Sequence, residues 1–209
     1  MNENPGQRRL IDDFIPQFDV RERHEILVRA PASVVMQIAR TFDMQSILPV
    51  RIIFWLRAKL MRSQAPGAAP QGLVNDTLGM GWGVLYDDPQ RQFIAGAACQ
   101  PWLADVVFTP IPVHRFADFA EPNFVKIVWT LETDEQGAEL TRFATETRVK
   151  ATDEQAKKKF RRYWRVYGIG ILMIRWMLLP AVRRQAVRQW KKDKNKNNNS
   201  SKLDRNSLK

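Results

Sequence analysis

The chain has 209 residues, of which 44% are hydrophobic, a single cysteine and a formal net charge of +11. That is enough apolar sequence for one domain with a core, and one cysteine excludes an internal disulfide framework, which fits a reducing, cytoplasmic setting. The charge is uneven: residues 152–209 hold 17 Lys and Arg against 4 Asp and Glu, and residues 1–151 hold 16 against 18, so a body of −2 carries an end of +13.

Residues 1–17 read as an arm. Met1 to Arg9 is polar and lacks the apolar run of a secretory signal. Ile11, Phe14, Ile15 and Phe18 offer local packing, and Pro16 limits any helix. From Asp19 to Ala30 the chain alternates: Val20, Glu22, His24, Ile26 and Val28 share one face, which predicts a strand with a mostly apolar side. Pro31 suits a helix start, and Val34, Val35, Ile38 and Ala39 give a short helix ending near Phe42. A second helix is expected over residues 50–62, followed by a Pro/Gly/Ala loop over residues 63–72.

The middle reads as strands. Residues 78–86 alternate glycine with large side chains, which predicts a strand with a close approach along it. Residues 91–100 are the next strand, residues 101–112 are irregular, and residues 116–119 form a short strand or turn. Two further strands, 123–133 and 140–149, make an antiparallel hairpin with one wet face. Its inward set is Thr141, Phe143, Thr145, Thr147 and Val149, and its outward set includes Arg142, Glu146 and Arg148.

A long helix follows. Asp153 is a suitable N-cap. Phe160, Trp164, Tyr167, Ile171, Ile174, Leu178 and Val182 recur at steps of three or four and so share one helical face. Gly168 and Gly170 weaken the helix, and Pro180 removes one hydrogen bond and predicts a bend. Residues 166–182 contain Arg175, two glycines and Pro180, so they read as a buried or interfacial helix and not as a membrane span. The Lys/Asn/Ser-rich residues 191–209 are expected to be disordered.

The order of these elements, an α+β arrangement in which a curved antiparallel sheet wraps a long C-terminal helix, resembles the START-like (helix-grip, SRPBCC-type) superfamily. Within it the chain is similar to the bacterial polyketide cyclase/dehydrase-like proteins. The likeness is carried by Glu22-Arg-His-Glu-Ile26 before Ala30-Pro31, Phe116-Ala-Asp-Phe-Ala-Glu-Pro122, Thr145-Glu-Thr-Arg-Val149 with Asp153, and Phe160-Arg-Arg-Tyr-Trp164. It covers about residues 18–190. The resemblance implies a cavity between sheet and terminal helix, and so a site for a hydrophobic small molecule or lipid. Fold alone assigns no activity.

The candidate residues follow from the faces. Trp82, Trp129, Phe143 and Trp164 are aromatic candidates for a cavity wall, though aromatic side chains also simply fill cores. Thr145 and Thr147 place hydroxyls on a core-facing strand, where they need partners. His24, with Glu22 on the same face, is the weak candidate for a general acid or base; the competing reading is a hydrogen-bonded histidine in a sheet. His114 reads as a loop residue and Cys99 as a small strand hydrophobe. The His and Cys spacing suits no metal, and Gly79, Gly81 and Gly83 make no phosphate loop, so neither a metal nor another cofactor is implied. Three functions remain: binding a hydrophobic ligand without assigned catalysis, a cyclase or dehydratase using His24 and Glu22, and a peripheral membrane protein that engages anionic lipid through its basic terminal helix. Nucleic acid is disfavoured, because no recognition module accompanies the basic segment.

Overall fold

The computed structural model describes residues 9–61 and 71–206. A 3-10 turn at Leu10–Asp13 leads into strand β1 (Val20–Val28), then helices α1 (Ala32–Thr41), α2 (Leu48–Met61) and α3 (Leu73–Gly79). Strands β2 (Gly83–Asp88) and β3 (Gln92–Cys99), the short helix α4 (Val113–Phe116), and strands β4 (Val125–Gly137) and β5 (Leu140–Ala151) come next. Helix α5 (Glu154–Asn206) ends the described chain. The strands form one antiparallel sheet in the order β1-β5-β4-β3-β2. The first strand therefore pairs with the last.

The inner face of the sheet carries the residues that alternation assigned to it. Glu22, His24 and Ile26 of β1 lie opposite Thr147, Thr145 and Phe143 of β5. Helices α1 and α5 cover this face, with α5 lying mainly over β1 and β5. The main core joins Val35, Met36 and Ala39 of α1, Phe93 and Leu131 of the sheet, Phe143 of β5, and Leu178, Leu179 and Val182 of α5. Asp153 caps α5 by accepting from the Ala156 amide at 2.7 Å and also accepts from the Asn123 amide, which ties the helix start to the beginning of β4.

The outer face is where the expectation of a wet hairpin side fails. Glu146 is 0% exposed and Arg148 is 4% exposed. The N-terminal arm and α4 cover them: Ile11, Phe14 and Ile15 pack with Ile94, Val128 and Phe116 in a second core layer. This layer brings its own polar contacts. Arg148 donates to Asp12 at 2.6 Å and to the Ile15 carbonyl at 2.8 Å, and Arg9 donates to Glu132 at 2.7 Å. Glu146 accepts from Arg148 at 2.7 Å, Arg21 at 3.0 Å and Arg23 at 3.2 Å, and it also pairs with Arg9. Burial alone would raise the Glu146 carboxyl, but the hydrogen bonds and charges of Arg9 and Arg148 outweigh it and hold the group at about 2, down from 4.5. Charged side chains on alternate positions predicted water; the arm supplies a lid whose own ions pair with them.

Two other expectations are corrected. Residues 73–79 are helix α3, so the strand expected from residue 78 begins only at Gly83. Gly81 sits in the intervening turn at φ 100°, and a Cβ there would lie 2.5 Å from the Phe108 carbonyl oxygen, so the glycine serves both a left-handed backbone and a close approach. Of the two alternatives for residues 116–119 the turn is the one formed, directly after the end of α4. Helix α5 runs through Gly168, Gly170 and Pro180 without interruption and continues to Asn206, past Lys191, where composition predicted disorder. Lys194 anchors this extension to Glu139 at 2.7 Å, and adding residues to an existing helix avoids the cost of nucleation. The loop expected over residues 63–72 lies almost wholly outside the described residues.

Candidate functional site beneath the terminal helix

The inner face holds one concentration of polar chemistry, where β1, β5 and α5 meet. Its centre is Arg175, which sequence analysis treated only as a charge interrupting an apolar run. Arg175, Leu178 and Val182 succeed one another at steps of three and four and all are buried, so the buried stripe itself carries the arginine; that register is the signal that could have found it. Arg175 is 8% exposed. It donates to the Glu22 backbone carbonyl at 2.9 Å and to the Thr147 hydroxyl. Burial lowers its pKa to about 10 while the carboxylates of Glu22 and Glu146 pull the other way, so the guanidinium stays charged at neutral pH.

His24 is one alternation further along β1 on the same face. Its Nε2 is buried with no hydrogen-bond partner among the described residues. The Glu22 carboxylate is 3.8 Å away, beyond hydrogen-bonding reach. Burial and the Arg175 charge both lower the imidazole pKa below its ordinary 6.5, with Glu22 opposing them. At neutral pH the ring is therefore uncharged, with one nitrogen able to accept a proton. The pairing of Glu22 and His24 read from alternation is present, and Arg175 is the third member that alternation did not supply.

The predicted wall residues divide. Thr147 is taken by Arg175. Thr145 is 1% exposed, accepts from Trp129 Nε1 at 2.9 Å and donates to the Thr130 carbonyl at 2.8 Å. Phe143 is fully buried in the main core. These threonines thus find partners inside the protein. Trp82 and Trp129 are half-buried and pack against the main core; Trp82 lies 5.3 Å from the Phe108 ring, and Trp129 lies 6.0 Å from Phe93. The Trp82 indole N–H, like His24 Nε2, is buried without a partner among the described residues. Phe108 and Ile127 are likewise partly buried, packed against a separate core cluster.

Two open grooves border the first third of α5. The larger, about 450 Å³, is lined by Asp19, Val20, Phe160 and Trp164 with Arg161 and Arg165 at its edge. The smaller, about 390 Å³, is lined by Trp102, Tyr163, Val166 and Tyr167. Arg162 borders both. Of the six predicted wall residues, Trp164 lines the larger groove; Trp82, Trp129, Phe143, Thr145 and Thr147 line neither. His114 is exposed on α4, and Cys99 is buried in β3 among Val125, Val149 and Phe160.

No family model matches the chain, and no curated protein matches it. Among solved structures it is similar to the Zhui aromatase/cyclase from Streptomyces sp. R1128, at 12% identity over 81% of this chain and 94% of that one, with a TM-score of 0.28. It is also similar to DR_A0006 from Deinococcus radiodurans, at 12% identity over 72% and 99%, with a TM-score of 0.28. A third similar structure is Ara h 8.0201, at 8% identity over 80% and 97%, with a TM-score of 0.22. The fold class stands on this chain's own geometry: a five-stranded antiparallel sheet closed by one long terminal helix is the helix-grip arrangement implied by the sequence resemblance.

Proposed function

We propose that the protein binds a hydrophobic small molecule or lipid against the helix-facing side of its sheet, with a polar group of that molecule directed to His24 and Arg175. The observation that carries this reading is the buried His24 Nε2, left without a hydrogen-bond partner among the described residues beside a charged, desolvated arginine. A buried polar atom without a partner costs about 1–3 kcal/mol, and a ligand oxygen or hydroxyl relieves that cost. The half-buried Trp82, Phe108 and Trp129 provide apolar area for the rest of the molecule.

The test is native mass spectrometry of the purified protein with organic extraction of whatever is bound. A recurring hydrophobic molecule that is lost in His24→Phe and Trp82→Ala variants is the expected result. An apo mass, together with no saturable binding of a fluorescent fatty acid by the intact protein, overturns the proposal.

A second reading is favoured by the neutral state of His24. With Glu22 3.8 Å away and Arg175 holding the pKa down, the imidazole can take a proton from a carbon next to a carbonyl. In that case the protein is a cyclase or dehydratase, and His24→Gln keeps the extracted molecule bound while abolishing its conversion. Equal conversion by the variant removes the enzymatic reading and leaves the binding one.

A further inference from the structure

The middle of α5 is apolar on both sides, and only one side is used by the core. Val166, Ile169, Met173 and Trp176 follow one another at steps of three and four, and all are exposed, Trp176 by 66%. Arg162 precedes them by four residues and Arg184 follows by eight, both exposed. Helix α2 packs on α5 and repeats the pattern: Leu48, Ile52 and Trp55 are exposed at steps of four and three, and Lys59 follows, its ammonium 4.9 Å from the Trp55 ring centroid. Within Glu154–Lys196 an 18-residue window reaches a mean hydropathy of 1.4, yet only 29% of it is buried. A core helix of that composition would be mostly covered.

We infer that the paired exposed faces of α2 and α5 form a docking surface for an anionic phospholipid membrane. Charge selects this occupant. Between Gln155 and Lys192 there are twelve Lys or Arg and no Asp or Glu, and α2 likewise carries no acidic residue. An apolar stripe with tryptophans and with cations at its ends matches the boundary between acyl chains and anionic head groups. The helix lies on the bilayer and does not cross it. Arg175, next to Trp176, is held by Glu22 and Thr147, and Leu178, Leu179 and Val182 belong to the core, so spanning would strip the domain of both. This surface is separate from the ligand reading above and does not depend on it.

The experiment is flotation of the full chain with phosphatidylcholine vesicles, with and without about 30% phosphatidylglycerol. The protein is expected to float with the anionic vesicles alone and to be released at about 1 M salt. The pair Trp55→Ser and Trp176→Ser, at exposed positions, is expected to weaken binding at least about tenfold, and Arg162→Glu with Arg184→Glu to do the same. In the unmutated protein, lipids brominated near the head group are expected to quench tryptophan emission. Equal binding to neutral vesicles, unchanged binding of the serine pair, or no quenching each overturns the proposal. A soluble dimer that the serine pair dissociates also overturns it and assigns the surface to a second copy of the chain.

Discussion

Glu146→Gln separates the ionic role of this residue from its shape. In the folded protein the carboxylate is fully buried and meets Arg9, Arg21, Arg23 and Arg148. Its pKa falls from 4.5 to about 2. At about 1.4 kcal/mol per unit, the difference between the two ends amounts to about 3 kcal/mol. Because the folded-state pKa is the lower one, that stability is fully present above pH 4.5 and is lost as pH falls from there through about 2. The amide keeps the volume but leaves the arginines facing one another, a loss of about 3–5 kcal/mol at pH 7. Urea unfolding of both proteins from pH 7 to pH 3 is the assay. The gap between them is expected to narrow steadily below pH 4.5, because the unfolded chain then takes up a proton at Glu146 that the folded protein, with its carboxyl held at about 2, does not. A gap that stays constant across that range would refute the claim that Glu146 holds the outer face through its charge.

Other outcomes follow from the inner face and the turns. Arg175→Met removes a positive charge that lowers the His24 pKa, so the His24 titration followed by NMR is expected to move upward; an unchanged midpoint would leave burial as the whole cause. Thr145→Val takes away the acceptor of the Trp129 indole N–H and a donor to the Thr130 carbonyl, and is expected to cost about 1–3 kcal/mol in chemical denaturation. Gly81→Ala forces a side chain into φ 100° and against the Phe108 carbonyl, and a melting temperature equal to that of the parent would show the loop 101–110 free to withdraw. A loss of about 1–3 kcal/mol is the expected result.

Periodicity carried the parts of the fold that rest on one chain segment. The α5 stripe, the β1 alternation and the inward face of β5 were legible because each follows the regular repeat of its own element, whichever neighbours it packs against. Helix α3 was not, since Leu73 and Val74 precede a glycine-alternating run that scans with period two, and the bend at Gly81 that divides helix from strand is a matter of backbone angle. The buried outer face was not legible either: whether Glu146 and Arg148 meet water depends on where the arm goes, and the arm joins β5 across more than a hundred residues of chain. At the candidate site the strand residues Glu22 and His24 were visible by alternation. Arg175 required knowing which strand face its helix turn would meet, and the tertiary partners of Thr145 and Thr147 were invisible for the same reason.

The sheet order sets a timetable for synthesis. β1 pairs with no strand except β5, so residues 20–28 find their strand partner only once residues 140–151 exist. At roughly 5–20 residues per second, about 120 residues of waiting is on the order of 6–24 seconds. During that time β1 has no strand neighbour, while Ile11, Phe14 and Ile15 meet their packing partners Ile94, Phe116 and Val128 as those residues are made. The β2-β3-β4 meander can assemble first from near neighbours, and the pairing of β1 with β5 spans the longest stretch of chain in the sheet. Slow translation across the β4 and β5 codons would lengthen the exposure of β1, and shortening the delay there protects it, whereas changes of pace after Ala151 leave that interval untouched.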